Sequence, residues 1–156
     1  MRVWRLARAV YDLLDGEGAR RHGGRWNREG TALVYTSDHL SLCVLEQLVH
    51  LNPEDVPDDW TAFEIEVPEN LLVETVGPDD LPDGWDRVAD HPECQRIGEL
   101  WVRKERSPVL AVPSAVLPME TNYVINPHHP ATDAIAVART EPFRFDERLL
   151  RLRGEE

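Results

Sequence analysis

Apolar and polar positions change period several times along the chain, and each change marks an element. Val3-Trp4-Arg5-Leu6-Ala7 predicts a short first strand, and residues 15–24, with Gly16, Gly18, Gly23 and Gly24, read as a glycine-rich loop. Ala32-Leu33-Val34-Tyr35 predicts a second strand, ended by polar Thr36-Ser37-Asp38. From His39 to Asn52 the period becomes helical, with Ser37 or Asp38 as N-cap and Asn52-Pro53 as the stop. At about 100° per residue, Leu40, Leu51, Val44, Leu48, Leu45, Val49 and Leu42 fill one broad arc. Glu46 falls on the rim of that arc beside Leu42, whereas Gln47 and His50 lie on the polar side.

Further on, Thr61, Phe63, Ile65 and Val67 alternate with Ala62, Glu64 and Glu66, the pattern of a half-buried strand. Residues 77–86 predict a turn-rich surface loop, and a second helix is expected from near Pro92 to about Glu105, burying Ile97, Leu100 and Trp101. Val109–Val112 predicts a strand ending at Pro113-Ser114, and Tyr123-Val124-Ile125 another, closed by Asn126-Pro127. Ile135–Ala138 and Phe143–Phe145 predict late strands, and Glu147–Arg153 a terminal helical turn. Short strands separated by two or three helices predict one mixed α+β domain over residues 1–156.

Composition narrows the class. A chain of 156 residues with 42% hydrophobic and 29% charged residues can enclose a core and is neither a disordered tail nor a membrane protein. No apolar run approaches the roughly 20 residues that span a bilayer. The opening Met1-Arg2-Val3-Trp4-Arg5 lacks the apolar stretch of a secretory signal. Cys43 and Cys94, the only cysteines, are then expected to be reduced thiols in the cytoplasm. No Cys/His cluster has zinc spacing, and His128-His129-Pro130 reads as loop, so no metal is expected.

A net charge of −12 argues against direct binding of nucleic acid. The charge is uneven, however. Residues 1–30 carry seven Arg against Asp12, Asp15, Glu17 and Glu29, a local excess of +3 that leaves −15 for the rest. Apart from Lys104 every cation of the chain is Arg, whose planar fork grips phosphate bidentately. A GC-rich genome explains the preference for Arg equally well.

Three places carry candidate chemistry. Gly23-Gly24-Arg25-Trp26 suits a phosphate-binding turn but has neither Rossmann nor P-loop spacing, and by itself reads better as a tight turn with a solvated Arg. Glu46 could stabilise a developing sugar cation or hold a ribose hydroxyl; alone it reads as an ordinary residue flanking a helix face. Ser114 projects from a strand end without a G-x-S-x-G elbow, so it is a ligand contact or a turn residue rather than a hydrolase nucleophile. Asn122, Tyr123 and Asn126 add polar groups nearby, and Trp26, Trp60, Trp85 and Trp101 are most simply core or interface residues.

The order of these blocks is more specific than any one of them. Gly23-Gly24-Arg25-Trp26, Val34–Ser37, Leu45–His50, Val112–Val116 and Thr121–Pro127 together resemble the RES-domain family, named for an Arg, a Glu and a Ser for which Arg25, Glu46 and Ser114 stand here. The resemblance runs from about Val3 to Pro130. It implies an ADP-ribosyltransferase-like α+β fold in which two small mixed β-sheets, with flanking helices, form a cleft for NAD⁺. It also implies the toxin of a bacterial toxin–antitoxin pair. Such a toxin depletes cellular NAD⁺ by cleaving the nicotinamide–ribose bond, through hydrolysis or phosphorolysis, or transfers ADP-ribose to a protein. The implied partners are an Xre-type antitoxin that covers the active site and a second toxin copy in a homodimer, without nucleic acid or membrane.

On this resemblance NAD⁺ is the substrate and no metal is required. Arg5 and Arg25 are expected on its phosphates, Glu46 at the ribose and its cation, and Tyr35 stacked on nicotinamide or ribose. Ser114 is expected to hydrogen-bond the nucleotide, with Trp26 and Asn122 as further contacts. The alternative of a different kind is a non-enzymatic interaction module in which Arg25 and Glu46 merely pair.

Overall fold

The structure, a computed structural model, describes residues 1–9 and 13–151. Among the described residues seven strands form one sheet, with four short α-helices around it. In chain order they are β1 (Arg2–Arg8), α1 (Glu17–His22), β2 (Val34–Ser37), α2 (Leu40–Leu48), β3 (Trp60–Glu66), β4 (Val73–Thr75), α3 (Pro92–Lys104), β5 (Val109–Pro113), β6 (Thr121–Ile125), β7 (Ala136–Pro142) and α4 (Glu147–Arg151). The spatial order is β4-β5-β6-β2-β1-β3-β7, and only the β4–β5 pair is parallel.

The sheet is narrowest at its centre. β1 pairs with β3 over seven residues and β2 with β6 over four, yet β1 and β2 meet at a single register pair, Trp4↔Ser37. The expected two small sheets are thus present as two halves, β4-β5-β6-β2 and β1-β3-β7, joined at one point. Past that point the strands part, and Arg5 reaches across with Nη1 donating to the Tyr35 carbonyl at 3.0 Å.

Alternation of side chains sorts the core. One face of both halves buries Val3, Val34, Phe63, Ile65, Val109 and Ile125. On the other, α3 covers the β5–β6 half with Trp26, Leu33, Trp85, Cys94, Trp101, Leu110, Val112 and Val124. There α2 covers the β1–β3 half, with Leu6, Cys43, Leu48, Trp60, Ala62 and Phe145. Gly98 lets α3 close on the chain at Trp26, since a Cβ there would lie 1.9 Å from the Trp26 carbonyl oxygen. All four tryptophans assigned to the core or an interface are buried.

Several expectations are corrected. The glycine-rich loop contains a helical turn, α1, whose end is set by Gly23 at φ 69°, a conformation that favours glycine. β2 runs on through Ser37, because Thr36 and Ser37 pair with Tyr123 and Asn122; α2 therefore starts later, capped by His39 without a side-chain bond, and ends at Leu48. β3 is buried on both faces rather than half-buried, and it accommodates Glu64 by ion pairs to Arg2 at 2.9 Å and Arg139 at 3.5 Å. β4, three residues long, is an element that the sequence pattern does not predict. The two late strands are one, β7; Phe145 instead caps the core edge-on to Trp60, centroids 5.6 Å apart. The packed chain therefore extends well past Pro130. The end of the expected terminal helix, at residues 152 and 153, lies outside the described residues.

Candidate functional site

Two cavities open where the sheet halves separate. The larger, about 1010 Å³, lies over α1, the turn after it and the start of α3, and both Arg25 and Glu46 line it. A smaller chamber of about 300 Å³ occupies the gap between β1 and β2. Arg5, Tyr35, Glu46 and Gln47 border both. The larger volume is at the upper end of the range for cofactor-sized ligands.

The carboxylate is held from β5 and β6. Ser114 Oγ donates to Glu46 Oε1 at 2.7 Å, and Asn122 Nδ2 donates to the same oxygen at 2.6 Å. Asn122 is itself fixed, its Oδ1 accepting from the Ser37 hydroxyl at 2.6 Å. Among the described residues no donor reaches Oε2, which is left for a ligand. Ser114 is fully buried, and its oxygen also accepts the Val116 and Leu117 amides at 3.1 and 3.0 Å. Those three bonds commit Ser114 Oγ to Glu46 and the loop that follows, where a nucleotide contact was expected. Asn122 likewise holds Glu46 in addition to lining the smaller chamber.

The turn after α1 aims Arg25. Gly24 N–H donates to the Asn27 carbonyl at 2.9 Å, leaving Arg25 and Trp26 at the tip, where the two side chains part. Trp26 goes into the core, 2% exposed, and borders neither cavity. The expected ligand contact at Trp26 is therefore not formed; its indole packs on Trp85 instead, with centroids 6.5 Å apart. Arg25 turns to the larger cavity, with Nη1 donating to the Trp85 and Val88 carbonyls at 2.6 and 2.8 Å and its guanidinium over the Trp85 ring at 5.8 Å. Two carbonyls and a ring fix its position while leaving its charge uncompensated by a carboxylate.

Asn27 is the functional neighbour that sequence reasoning missed. It is fully buried, and Nδ2 points to the carbonyls of Ala19, Arg28 and Thr31 at 2.9–3.0 Å. Its Oδ1 accepts the Tyr35 hydroxyl at 2.7 Å, and that hydroxyl accepts the Trp26 amide at 3.0 Å. Burial raises the Tyr35 pKa well above the usual phenol range, so it is a neutral hydrogen-bonding strut whose ring borders the cleft. An Asn next to a glycine-rich turn was the one available signal, and it reads equally as a turn residue.

The basic N-terminal segment is mostly structural. Arg2, Arg8, Arg20 and Arg21 pair with Glu64, Asp59 and Glu17; only Arg5, Arg25 and Arg28 line the larger cavity. Glu29, Asp86 and Asp90 stand around the same cavity, so its field is mixed rather than uniformly positive. Among the described residues no group of three or more His, Cys, Asp or Glu is placed to hold a metal ion, and no helix is long and apolar enough to cross a membrane.

The sheet of two halves, with the Arg–Glu cleft over the division and helices around it, is a mixed α+β fold. A chain from the crystal structure of the M. tuberculosis MbcT–MbcA toxin–antitoxin complex shares it, with a TM-score of 0.75 over 97% of this chain and 87% of that one, at 21% identity. The sequence narrows the class: the RES domain family model matches residues 2–146, and the chain belongs to the RES-domain family. A protein of Sphingobium sp. named Prs ADP-ribosylating toxin is 38% identical over 95% of this chain and 96% of its own length. Proteins named Toxin Res from Pseudomonas putida and Photorhabdus laumondii are each 36% identical, over 96% and 81% of this chain and 99% and 82% of theirs.

Proposed function

We propose that this chain is the toxin of a toxin–antitoxin pair and consumes NAD⁺ by breaking its nicotinamide–ribose bond. The observation that carries this reading is the convergence of Arg25 and Glu46 on one cleft, with Glu46 fixed through a single oxygen. Cleavage builds positive charge on the ribose while nicotinamide leaves as a neutral molecule. A carboxylate with one oxygen anchored and the other open stabilises that charge without reorganising. Arg25 and Arg5 bind the pyrophosphate, with Arg25 held by carbonyls that leave its charge for the ligand. Tyr35 places its ring against the nicotinamide riboside, and Ser114 and Asn122 keep Glu46 in register.

An Xre-type antitoxin that covers the cleft, and a toxin homodimer within the complex, belong to the same reading. Exposed apolar side chains beside the cavity suit such a cover: Val49 is 46% exposed, and Leu117 and Met119, just beyond cavity-lining Val116, are 38% and 100% exposed. The test is nicotinamide release from NAD⁺ by purified, antitoxin-free protein, with and without inorganic phosphate. Release is expected; its absence from folded protein in both conditions removes the reading.

A second reading keeps the same bond cleavage and passes ADP-ribose to a protein, and the likeness to the Sphingobium toxin favours it. NAD⁺ labelled in its adenylate half and added to lysate separates the two. Label on one protein band supports transfer; label only in small molecules supports NAD⁺ depletion.

A further inference from the structure

The larger cavity differs in chemistry between its two ends. Its inner end is marked by Arg5, Tyr35, Glu46 and Gln47, which it shares with the smaller chamber. There Arg5 keeps a buried Nε without a hydrogen-bond partner, a cation still short of an anionic ligand. The outer end is bordered by Glu29, Asp86 and Asp90, none of which lines the chamber. Among the described residues the side-chain carboxylates of these three make no hydrogen bond and no ion pair. They are free to receive donors from a ligand.

Arg25 fixes where two of these acids stand relative to a bound dinucleotide. Its Nη1 donates to the Trp85 and Val88 carbonyls at 2.6 and 2.8 Å. Asp86 lies between those two residues in the chain and Asp90 just beyond them, so the guanidinium and both acids belong to one wall. A pyrophosphate on Arg25, with its nicotinamide ribose at Glu46, extends its other half along this wall. The next group out is the adenosine ribose, whose hydroxyls are donors that an ionised carboxylate accepts. A phosphate at the 2′ position turns one of those donors into a dianion. It would enter a cavity bordered by Arg5, Arg25 and Arg28 against Glu29, Glu46, Asp86 and Asp90. The pyrophosphate takes the first two guanidinium groups, and Arg28 stands next to Glu29 in the chain.

We infer that Asp86 and Asp90 bind the adenosine ribose through its hydroxyls and restrict the substrate to dinucleotides without a 2′-phosphate, NAD⁺ and not NADP⁺. The inference rests on the proposed cleavage of NAD⁺. A carboxylate on the ribose hydroxyl is a general means of selecting the unphosphorylated dinucleotide. In this chain the acids sit on the loop that Arg25 holds, so one wall reads both the pyrophosphate and the sugar beyond it. Size contributes little, because a cavity of about 1010 Å³ has room for one more phosphate. The selection is electrostatic, and salt therefore weakens it.

The experiment is nicotinamide release by the full chain from NAD⁺ and from NADP⁺, each read as kcat/KM. NAD⁺ is expected to be favoured about a hundredfold or more, chiefly through KM. That ratio is expected to fall as ionic strength rises, since screening relieves the repulsion of the 2′-phosphate. The double variant Asp86→Asn, Asp90→Asn keeps side-chain size and removes both charges. It is expected to narrow the ratio about tenfold or more, with the KM for NAD⁺ raised and that for NADP⁺ lowered. Melting temperature gives a readout without turnover: ADP-ribose is expected to stabilise the parent more than its 2′-phosphate does, and the variant nearly equally with either. Should the variant not fold, the salt dependence of the parent's ratio decides. Equal kcat/KM for the two dinucleotides overturns the inference and leaves NAD⁺ cleavage standing. A preference for NAD⁺ that is insensitive to salt, or unchanged in the folded variant, also overturns it, because shape then makes the selection. No release from either dinucleotide removes both readings.

Discussion

Ser114 and Glu46, 68 positions apart in the chain, meet in a 2.7 Å hydrogen bond that joins the end of β5 to the last turn of α2. The serine at the strand end is thus a brace for the carboxylate, and the same oxygen holds the loop that follows through Val116 and Leu117. Ser114→Ala removes all three bonds. It is expected to cost about 1–3 kcal/mol of stability, from the Glu46 bond lost and the Val116 and Leu117 amides left without this acceptor. It should also lower kcat for nicotinamide release by about 10- to 100-fold with a smaller change in KM, since a displaced carboxylate loses most in the transition state. A denaturant melt alongside steady-state kinetics checks both. A change confined to KM would return Ser114 to the role of nucleotide contact.

Asn122 sits 2.6 Å from the same carboxylate oxygen, so Asn122→Asp would put two carboxyl groups in contact. Two like charges at that distance do not both ionise, and one carboxyl has its folded-state pKa raised. A raised folded-state pKa means that stability is present below the unfolded value, about 4, and is lost as pH rises through the folded value. Urea unfolding at pH 5 and pH 8 is expected to show the variant losing stability on the alkaline side relative to the parent. Equal differences at both pH values would show that the pair is not in contact.

Local periodicity made much of this molecule legible. The span of α3 follows from Pro92 at its start and from its apolar spacing, and the central strands follow from runs such as Val109–Val112. The candidate Arg and Glu were located by spacing and by resemblance, and the fold sets them on one cavity. What period could not give depends on contacts far apart in sequence. Trp26 follows Arg25 directly, so sequence places them together, but the turn closed by Gly24 and Asn27 sends the two side chains apart. β4 is three residues long and exists through parallel pairing with β5, so it has no period of its own. The smaller chamber exists because β1 and β2 part after one register pair, a property of the sheet and not of either strand.

Gly24 tests the strut beneath the cleft. A Cβ there would lie 2.7 Å from the Tyr35 hydroxyl oxygen and 3.0 Å from Asn27 Oδ1. Gly24→Ala is expected to destabilise by about 1–3 kcal/mol, since Tyr35 is held on both sides of its hydroxyl. Tyr35→Phe removes the clashing oxygen, so it should cost less in the Gly24→Ala background than in the parent. A double-mutant cycle read by denaturant melts measures that coupling; strict additivity would contradict the contact.

Glu17 gives the short α1, and through it the cavity wall at Ala19 and His22, a pH dependence. Hydrogen bonds from Arg20 and then Arg21 lower its pKa from 4.5 to about 2. A lowered folded-state value means that its contribution is complete above about 4.5 and is lost as pH falls through 2. Because the group is exposed, the effect is local. Amide exchange at Gly23, whose N–H donates to the Ala19 carbonyl, is expected to lose protection over that range, and Glu17→Gln to flatten the change. Protection independent of pH in the parent would count against the ion pairs.

The central claim is that Glu46, with one oxygen pinned by Ser114 and Asn122, stabilises the ribose cation as nicotinamide leaves. Glu46→Gln keeps the size and hydrogen-bonding shape and removes the charge. Nicotinamide release measured side by side for parent and variant, both shown folded by their melts, tests it most directly. A fall of about a hundredfold or more in the variant is the predicted result, in line with the loss of one fixed electrostatic group. Release from the Gln variant at the parental rate would contradict the account.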